Sequence, residues 1–500
     1  MKLLAVALLA SALGAGEPGT AAADAAAPIP MKVTLTGGQT LYSPAPGEIL
    51  TAQAGRKSRG KGQNKAGKRR SSRATRRSPG RAVRTGPAPE TLPWPDNVKA
   101  LAGSGAVLVV DHHAARGEPS ELISLNPDRD YVPASILKLV TSASALASLG
   151  PGYRFRTEFY LDANGDLWIK GYGDPYLVSE ELCGLADRLK LEGLSSAADV
   201  RVDGSFFEEG VVGDGVTFTS NPYDAYNTAF GANFNTVSFL IDRKAGAVES
   251  NPCTPLTPTA RVIASGIPRR GGKGRRKAVP VYMNISESPL AAATNAAETL
   301  RELLVRRGVG ISGSVSVGGT VPPTARLFYE HRSTKTLQEM IRELLRYSNN
   351  FMTNQIFLTM GAEAYGPPGD FEKGRQVVHD FLRLYRLPEL TLVEGSGLSR
   401  NNHLTARQMA EVLRVLEPAR SLIKSDNDRS VYYKTGTMTD IQTLAGYIER
   451  PGRPDEPLSF VILLNGKYEP GTRDRILSVI KEHLVGGAAA RRQGVPDGQG

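Results

Sequence analysis

A serine hydroxyl attacks a carbonyl only when a base takes its proton. In Tyr131-Val132-Pro133-Ala134-Ser135-Ile136-Leu137-Lys138 a lysine stands three residues after a serine. At that spacing on a helix the two share a face. A lysine kept neutral by burial or by a nearby cation is such a base. The same spacing recurs at Ser58/Lys61, Ser421/Lys424 and Ser478/Lys481. The first lies in a basic tail, the second leads into a polar loop, and the third has no partner motif after it. Ser135 is singled out by two later motifs that come in order: Ser348-Asn349-Asn350, then Lys434-Thr435-Gly436.

Each later motif supplies a function the serine needs. Ser348 can relay a proton, and Asn350 can bond a substrate amide and Lys138. Lys434 brings positive charge for a carboxylate and is expected to depress the pKa of Lys138 by like-charge repulsion. Thr435 and Thr437 can bond a carboxylate, and bare Gly436 lets substrate lie against the strand. The backbone N–H groups of Ser135 and Thr437 form the expected oxyanion hole. Ser425-Asp426-Asn427 is a decoy for the second motif. It ends seven residues before Lys434, too close to build a separate cleft wall.

These residues need elements to hold them. Pro133 suits a first helical turn, and the apolar spacing over 136–149 predicts a buried helix. Ser348 falls at the break between predicted helices 336–347 and 351–361. Thr405-Ala406-Arg407-Gln408 is a capping box opening a helix over 404–416. Strands are expected over 105–111, 121–125, 200–203, 236–242, 311–317, 431–437, 442–449 and 458–465, and Asn164-Gly165 marks a hairpin of 154–161 with 166–170. The first and last strands can share one antiparallel sheet. The predicted organisation is a catalytic domain of residues 93–159 and 334–487, interrupted by an inserted α/β domain over 160–333. Within the insert, residues 250–280 read as a loop or reduced subdomain, and 488–500 as a tail.

Formal net charge is +11, but residues 56–84 hold the excess as basic residues without an acid. The remainder is near neutral, which argues against a basic nucleic-acid-binding fold. Residues 24–92 read as a disordered basic linker, with the 56–84 run either a solvated spacer or a contact to anionic membrane or wall polymer. Met1–Leu9 followed by Ala21-Ala22-Ala23 has the form of a signal peptide, residues 1–23, and implies export to the periplasm or cell envelope. Cys183 and Cys253 are the only cysteines, and their pairing stays open. No metal-ligand spacing and no cofactor motif occurs, and His112-His113 reads as a loop feature.

The three motifs in this order resemble the low-molecular-mass class C penicillin-binding proteins, the D-Ala-D-Ala carboxypeptidases/endopeptidases. Further matches are Gly171-Tyr172-Gly173-Asp174-Pro175, Glu394-Gly395-Ser396-Gly397-Leu398-Ser399-Arg400-Asn401-Asn402 and Thr443-Leu444-Ala445-Gly446-Tyr447. The resemblance implies a penicillin-recognising α/β domain and attack by Ser135 on peptidoglycan stem peptides, with Lys138 as base. It also implies β-lactams as inhibitors acylating Ser135. Asp224, in Asn221-Pro222-Tyr223-Asp224-Ala225-Tyr226, resembles the family acid that faces the end of the third stem residue. Its other reading is a turn cap after Pro222. Arg400 resembles the arginine that meets that residue's carboxylate, or else pairs with a backbone carbonyl. Alternatives are a β-lactamase or esterase on the same fold, and a catalytically inactive wall-binding scaffold.

Overall fold

A computed structural model describes residues 94–116, 120–242, 246–267 and 279–486, together with a strand pair at Lys32–Thr34 and Thr40–Tyr42. The signal segment, the 56–84 run and the 488–500 tail lie outside the described residues.

In chain order the N-terminal part holds α1 (Asp96–Ala102), β1 (Ala106–Val110), β2 (Glu121–Leu125) and α2 (Lys138–Ser148). Next come β3 (Arg156–Leu161), β4 (Leu167–Gly171), α3 (Ser179–Leu191), β5 (Val200–Asp203), β6 (Thr236–Asp242) and β7 (Gly246–Glu249). They are followed by α4 (Pro258–Ser265), β8 (Val279–Asn284), α5 (Pro289–Arg306), β9 (Val315–Val317) and β10 (Arg326–Arg332). Helices α6 (Leu337–Tyr347), α7 (Asn350–Tyr365), α8 (Phe371–Leu384) and α9 (Ala406–Leu416) lead to the last strands. These are β11 (Val431–Met438), β12 (Ile441–Arg450) and β13 (Arg453–Asn465), closed by α10 (Thr472–Lys481).

One sheet has the order β11-β12-β13-β1-β2, and every pairing in it is antiparallel. It takes its strands from both ends of the chain. Side chains alternate across it with the period of two that a strand imposes. Leu108, Val461 and Leu463 join the core with α2 and α9, while Val107, Phe460 and Ile462 face α1 and α10. Both faces are therefore covered. Burying such an aliphatic side chain contributes about 1.5–3 kcal/mol.

Helix α2 is the centre of the first core, sealed by Ile341 and Leu344 of α6, Phe357 of α7, Phe381 of α8 and Met409 of α9. The capping box at the head of α9 forms as expected: Gln408 N–H donates to Thr405 Oγ1 at 3.1 Å, and Thr405 N–H to Gln408 Oε1 at 2.6 Å.

A second five-stranded sheet runs β9-β5-β4-β3-β10, with β4, β5 and β9 parallel. Phe159, Ile169 and Val202 pack there against Leu185 of α3 and Leu300 of α5. A third sheet, β7-β6-β8, is antiparallel. Cys183 of α3 is disulfide-bonded to Cys253. The stretch 250–280, read as a loop or reduced subdomain, contains α4. Thr257 caps it, accepting from Ala260 N–H at 3.0 Å, and Pro258 sits in its first turn. Strands β7, β8 and β10 are additions to the strands expected from sequence. The mixed architecture of helices on antiparallel and mixed sheets is the expected fold class.

Candidate active site

The serine stretch begins with strain. Pro133 is right-handed (φ −75°), but Ala134 takes φ +49°, a left-handed conformation that costs a side-chain-bearing residue about 1–2 kcal/mol. A 3-10 turn, Ala134–Leu137, then precedes α2. In a 3-10 turn residues i and i+3 eclipse, which stacks Ser135 directly over Lys138. Neighbouring strands pin the segment. Thr443 Oγ1 donates to Pro133 O at 2.7 Å, and Val132 N–H donates to Asn465 Oδ1 at 2.8 Å. Two glycines let other chains approach. A Cβ on Gly436 would lie 2.9 Å from Ser135 N, and one on Gly397 only 2.0 Å from Ala134 O.

Lys138 is fully buried and makes three contacts: Ser135 Oγ at 3.1 Å, Asn350 Oδ1 at 2.7 Å and Ser396 O at 2.5 Å. Asn350 Nδ2 donates to Tyr223 O at 3.1 Å, which turns its Oδ1 toward the lysine. Two of the three lysine partners can only accept. A neutral amine has two N–H groups and one lone pair, so the lone pair is left for the hydroxyl of Ser135. Burial lowers the Lys138 pKa to about 7, with Glu394 opposing. Like-charge repulsion falls on the partner instead. Lys434 is held well below its ordinary value by burial first, then by Lys138, Arg473 and Lys424. Of the two causes expected for Lys138, burial and a nearby cation, burial is the one that lowers its pKa.

The second motif is a junction of two helices. Ser348 ends α6 in the left-handed region (φ 55°, ψ 40°). Asn349 caps α7, accepting from Met352 N–H at 2.9 Å. The junction presents Ser348 to Lys434, whose Nζ donates to Ser348 Oγ at 2.8 Å and to Thr435 O at 2.7 Å. The decoy triplet serves a turn before β11: Asp426 accepts from Ser430 N–H at 2.8 Å and Val431 N–H at 3.0 Å.

Strand β11 is an edge strand. Tyr433 N–H points away from β12, donating to Lys424 O at 2.8 Å. By the period of two, the N–H groups of Thr435 and Thr437 face the same open edge. That edge and Ser135 N meet at Gly436, the arrangement an oxyanion needs.

Three contributors escaped sequence reasoning. Glu394 is fully buried and accepts from the N–H groups of Ser396 and Gly397, each at 2.7 Å, and from Asn402 Nδ2 at 2.8 Å. It folds the loop that aims Ser396 O at Lys138. Asp214 holds the far side of that loop, accepting from Asn401 Nδ2 at 2.9 Å and from Ser399 Oγ. Arg473, at the head of α10, donates to Gly436 O at 2.5 Å and Thr437 Oγ1 at 2.8 Å. The acid at 394 was legible within the Gly-Ser-Gly-Leu-Ser run; Asp214 and Arg473 carry no local signal.

Arg400 is exposed and donates to Thr439 O at 2.7 Å, one residue past β11. Asp224 does not stand open to a substrate ammonium. It is buried, and its carboxylate accepts from Thr217 Oγ1 at 2.7 Å and Thr219 N–H at 3.2 Å. The carboxylate ties back to residues upstream of Pro222 rather than capping a turn after it. His112 Nε2 meets Ser459 Oγ at 2.9 Å, and His113 Nε2 meets Glu417 at 2.9 Å.

The profile of the D-Ala-D-Ala carboxypeptidase 3 (S13) family matches residues 99–264 and 275–424. This chain belongs to that family. The match takes in Ser135, Lys138, Ser348, Asn350 and Arg400. A D-alanyl-D-alanine carboxypeptidase of an Actinomadura species is 28% identical over 440 residues, spanning 74% of this chain and 79% of the relative. The D-alanyl-D-alanine carboxypeptidase DacB of Haemophilus influenzae is 23% identical, spanning 68% and 81%. The crystal structure of penicillin binding protein 4 from Haemophilus influenzae superposes with a TM-score of 0.63 at 19% identity, covering 78% of this chain and 99% of that one. The same protein bound to a β-lactam superposes at 0.59. The S13 chain described here thus shares the penicillin-binding fold. Among its described residues no helix is long and apolar enough to cross a membrane.

Proposed function

We propose that the protein is a serine-type D-Ala-D-Ala carboxypeptidase acting on peptidoglycan stem peptides through an acyl-enzyme on Ser135. The observation that carries this reading is the buried Lys138, in hydrogen-bond reach of Ser135 Oγ with a pKa of about 7. Ser135 Oγ attacks the carbonyl carbon between the two D-alanines as Lys138 Nζ takes its proton. The N–H groups of Ser135 and Thr437 hold the oxyanion. Collapse breaks the C–N bond as the proton held on Lys138 is relayed through the Ser348 hydroxyl, itself bonded to Lys434, to the departing D-Ala nitrogen, which leaves Lys138 neutral and Ser348 protonated. Water then hydrolyses the ester with Lys138 again as base, releasing the shortened peptide. Asn350 orients Lys138 and the substrate amide, and Lys434, Thr435 and Thr437 receive the terminal carboxylate.

β-Lactams acylate the same serine and leave slowly. Cleavage of cross-bridges is a further activity of the same site. The catalytic domain comprises 93–159 and 334–487, and 160–333 is the insert; the sheet built from both chain ends supports this division, while β3 crosses the first boundary and pairs in the insert's sheet. The disulfide fits an exported protein. The basic 56–84 run tethers the enzyme to anionic wall polymer or lipid.

Fluorescent penicillin labelling with peptide mapping tests the assignment, alongside D-Ala release from a pentapeptide. The adduct is expected on Ser135, and Ser135→Ala is expected to lose labelling and D-Ala release while folding normally. Persistent labelling of that variant would sink the assignment, and rapid benzylpenicillin turnover would make the enzyme a β-lactamase.

A further inference from the structure

Among the described residues, one end of the cleft brings Lys434 and Arg473 together, with Asp474 as the acidic partner of Arg473. Lys434 is 2% exposed and meets Ser348 Oγ and Thr435 O, both uncharged. Arg473 is next to it, its side chain 16% exposed, with Asp474 as ion-pair partner at 3.8 Å. That carboxylate is itself 62% exposed, so it is well screened by water. The Arg473 Nε is buried without a hydrogen-bond partner. Burial first, and then neighbouring cations that include Arg473 and Lys424, hold the Lys434 ammonium well below its ordinary pKa. Buried cations left this way are costly unless an anion joins them.

Arg473 also fixes a hydroxyl. Its Nη1 donates to Thr437 Oγ1 at 2.8 Å and to Gly436 O at 2.5 Å. A hydroxyl has one hydrogen. With its oxygen occupied by Arg473, Thr437 keeps that hydrogen for an acceptor arriving at the open edge of β11, where Thr437 is exposed. An anion arriving there meets an oriented hydroxyl, the Thr435 side chain and two cations.

Resting on the peptidase reading above, we infer that Arg473 is a specificity-determining positioning residue that makes this site prefer peptides ending in a free carboxylate. It acts by presenting Thr437 as a donor and by adding the charge of its own guanidinium.

The test compares one D-Ala-D-Ala peptide as the free acid and as its C-terminal amide, in wild type, Arg473→Gln and Arg473→Lys. Wild type is expected to prefer the acid. Arg473→Gln is expected to lower kcat/KM for the acid about 10- to 100-fold, the size of a charge-assisted contact, while the amide is nearly unaffected. Arg473→Lys keeps charge but not the fork, and should restore part of the preference. A parallel fall on both peptides, or a wild type indifferent to the terminus, overturns the inference and leaves the peptidase reading intact. A wild type that cleaves neither peptide and takes no penicillin on Ser135 overturns the peptidase reading itself. Thermal melts of both variants confirm that folded protein is compared.

Discussion

Lys138 Nζ lies 3.1 Å from Ser135 Oγ while its other two partners, Ser396 O and Asn350 Oδ1, are acceptors only. A free amine donates to those two and keeps its lone pair for the hydroxyl of Ser135, and burial brings that form within reach at neutral pH. Acylation by benzylpenicillin is expected to rise with pH through about 7 and then level. Lys138→Ala should slow it on the order of 100- to 10,000-fold. Stability follows the same proton. The folded pKa is below the unfolded value of about 10.4, so between these values the unfolded state holds a proton the folded state has given up. This residue's contribution to stability thus increases as pH rises from about 7 toward about 10. Rate profiles and melts across pH check both; a flat acylation profile between pH 5 and about 8 would point to another base.

Gly397 is expected to be as sensitive as the nucleophile it supports. Its φ is +79°, and a Cβ would fall 2.0 Å from Ala134 O. Gly397→Ala must displace the residue that precedes Ser135. The expected result is a stability loss of about 1–3 kcal/mol and an acylation rate at least tenfold lower, roughly the effect of a 1 Å misplacement or less. Gly152→Ala, with nothing within 4 Å of its Cβ, is the control. Equal behaviour of the two variants in melts and labelling would contradict the packing argument.

The three motifs were legible because each is local. Ser135 and Lys138 lie one turn apart, Ser348 to Asn350 span one helix junction, and Lys434 to Thr437 share one strand. Arg473 and Asp214 were not legible, because each meets the site only through folding of distant segments. Strand β10, Arg-Leu-Phe-Tyr-Glu-His-Arg, hid because an edge strand with charged ends lacks clean alternation. Helix α4 hid beside an Arg/Gly stretch, although Thr257-Pro258 was a start signal. Asp224 shows what sequence leaves out. A family-like position suggested a substrate contact, but two neighbouring threonines already occupy its carboxylate.

The Cys183–Cys253 bond, with a sequence separation of 70, ties α3 to the segment before α4. Replacing both cysteines by serine is expected to cost about 2–4 kcal/mol, because the unfolded chain regains the freedom of the closed loop. Neither cysteine touches the Ser135 site, so penicillin acylation at low temperature should be unchanged. Denaturant unfolding and acylation of the double variant measure the two effects. A loss of acylation in the folded variant would show that the second sheet is coupled to the cleft.

Arg400 and Asp224 now separate. Arg400 is exposed and spends one donor on Thr439 O, beside the end of the strand that carries Thr437. A guanidinium has five N–H donors in a planar fork, so it can hold this carbonyl and still take a carboxylate. Asp224 is 1% exposed and anchors the turn from Thr217 to Tyr223, whose carbonyl accepts from Asn350. Its loss strands several donors, at about 1–3 kcal/mol, and loosens Asn350 with them. Arg400→Ala is therefore expected to lower turnover of stem peptides with diaminopimelate at the third residue about tenfold or more, as loss of a charge-assisted contact does. Benzylpenicillin lacks that group, so its acylation rate should hold. Asp224→Ala should lower both rates together and the melting temperature with them. The two rate constants and a melt for each variant decide the matter. A selective effect in Asp224→Ala would return that residue to the substrate, and a parallel fall in Arg400→Ala would make the arginine a strut for β11.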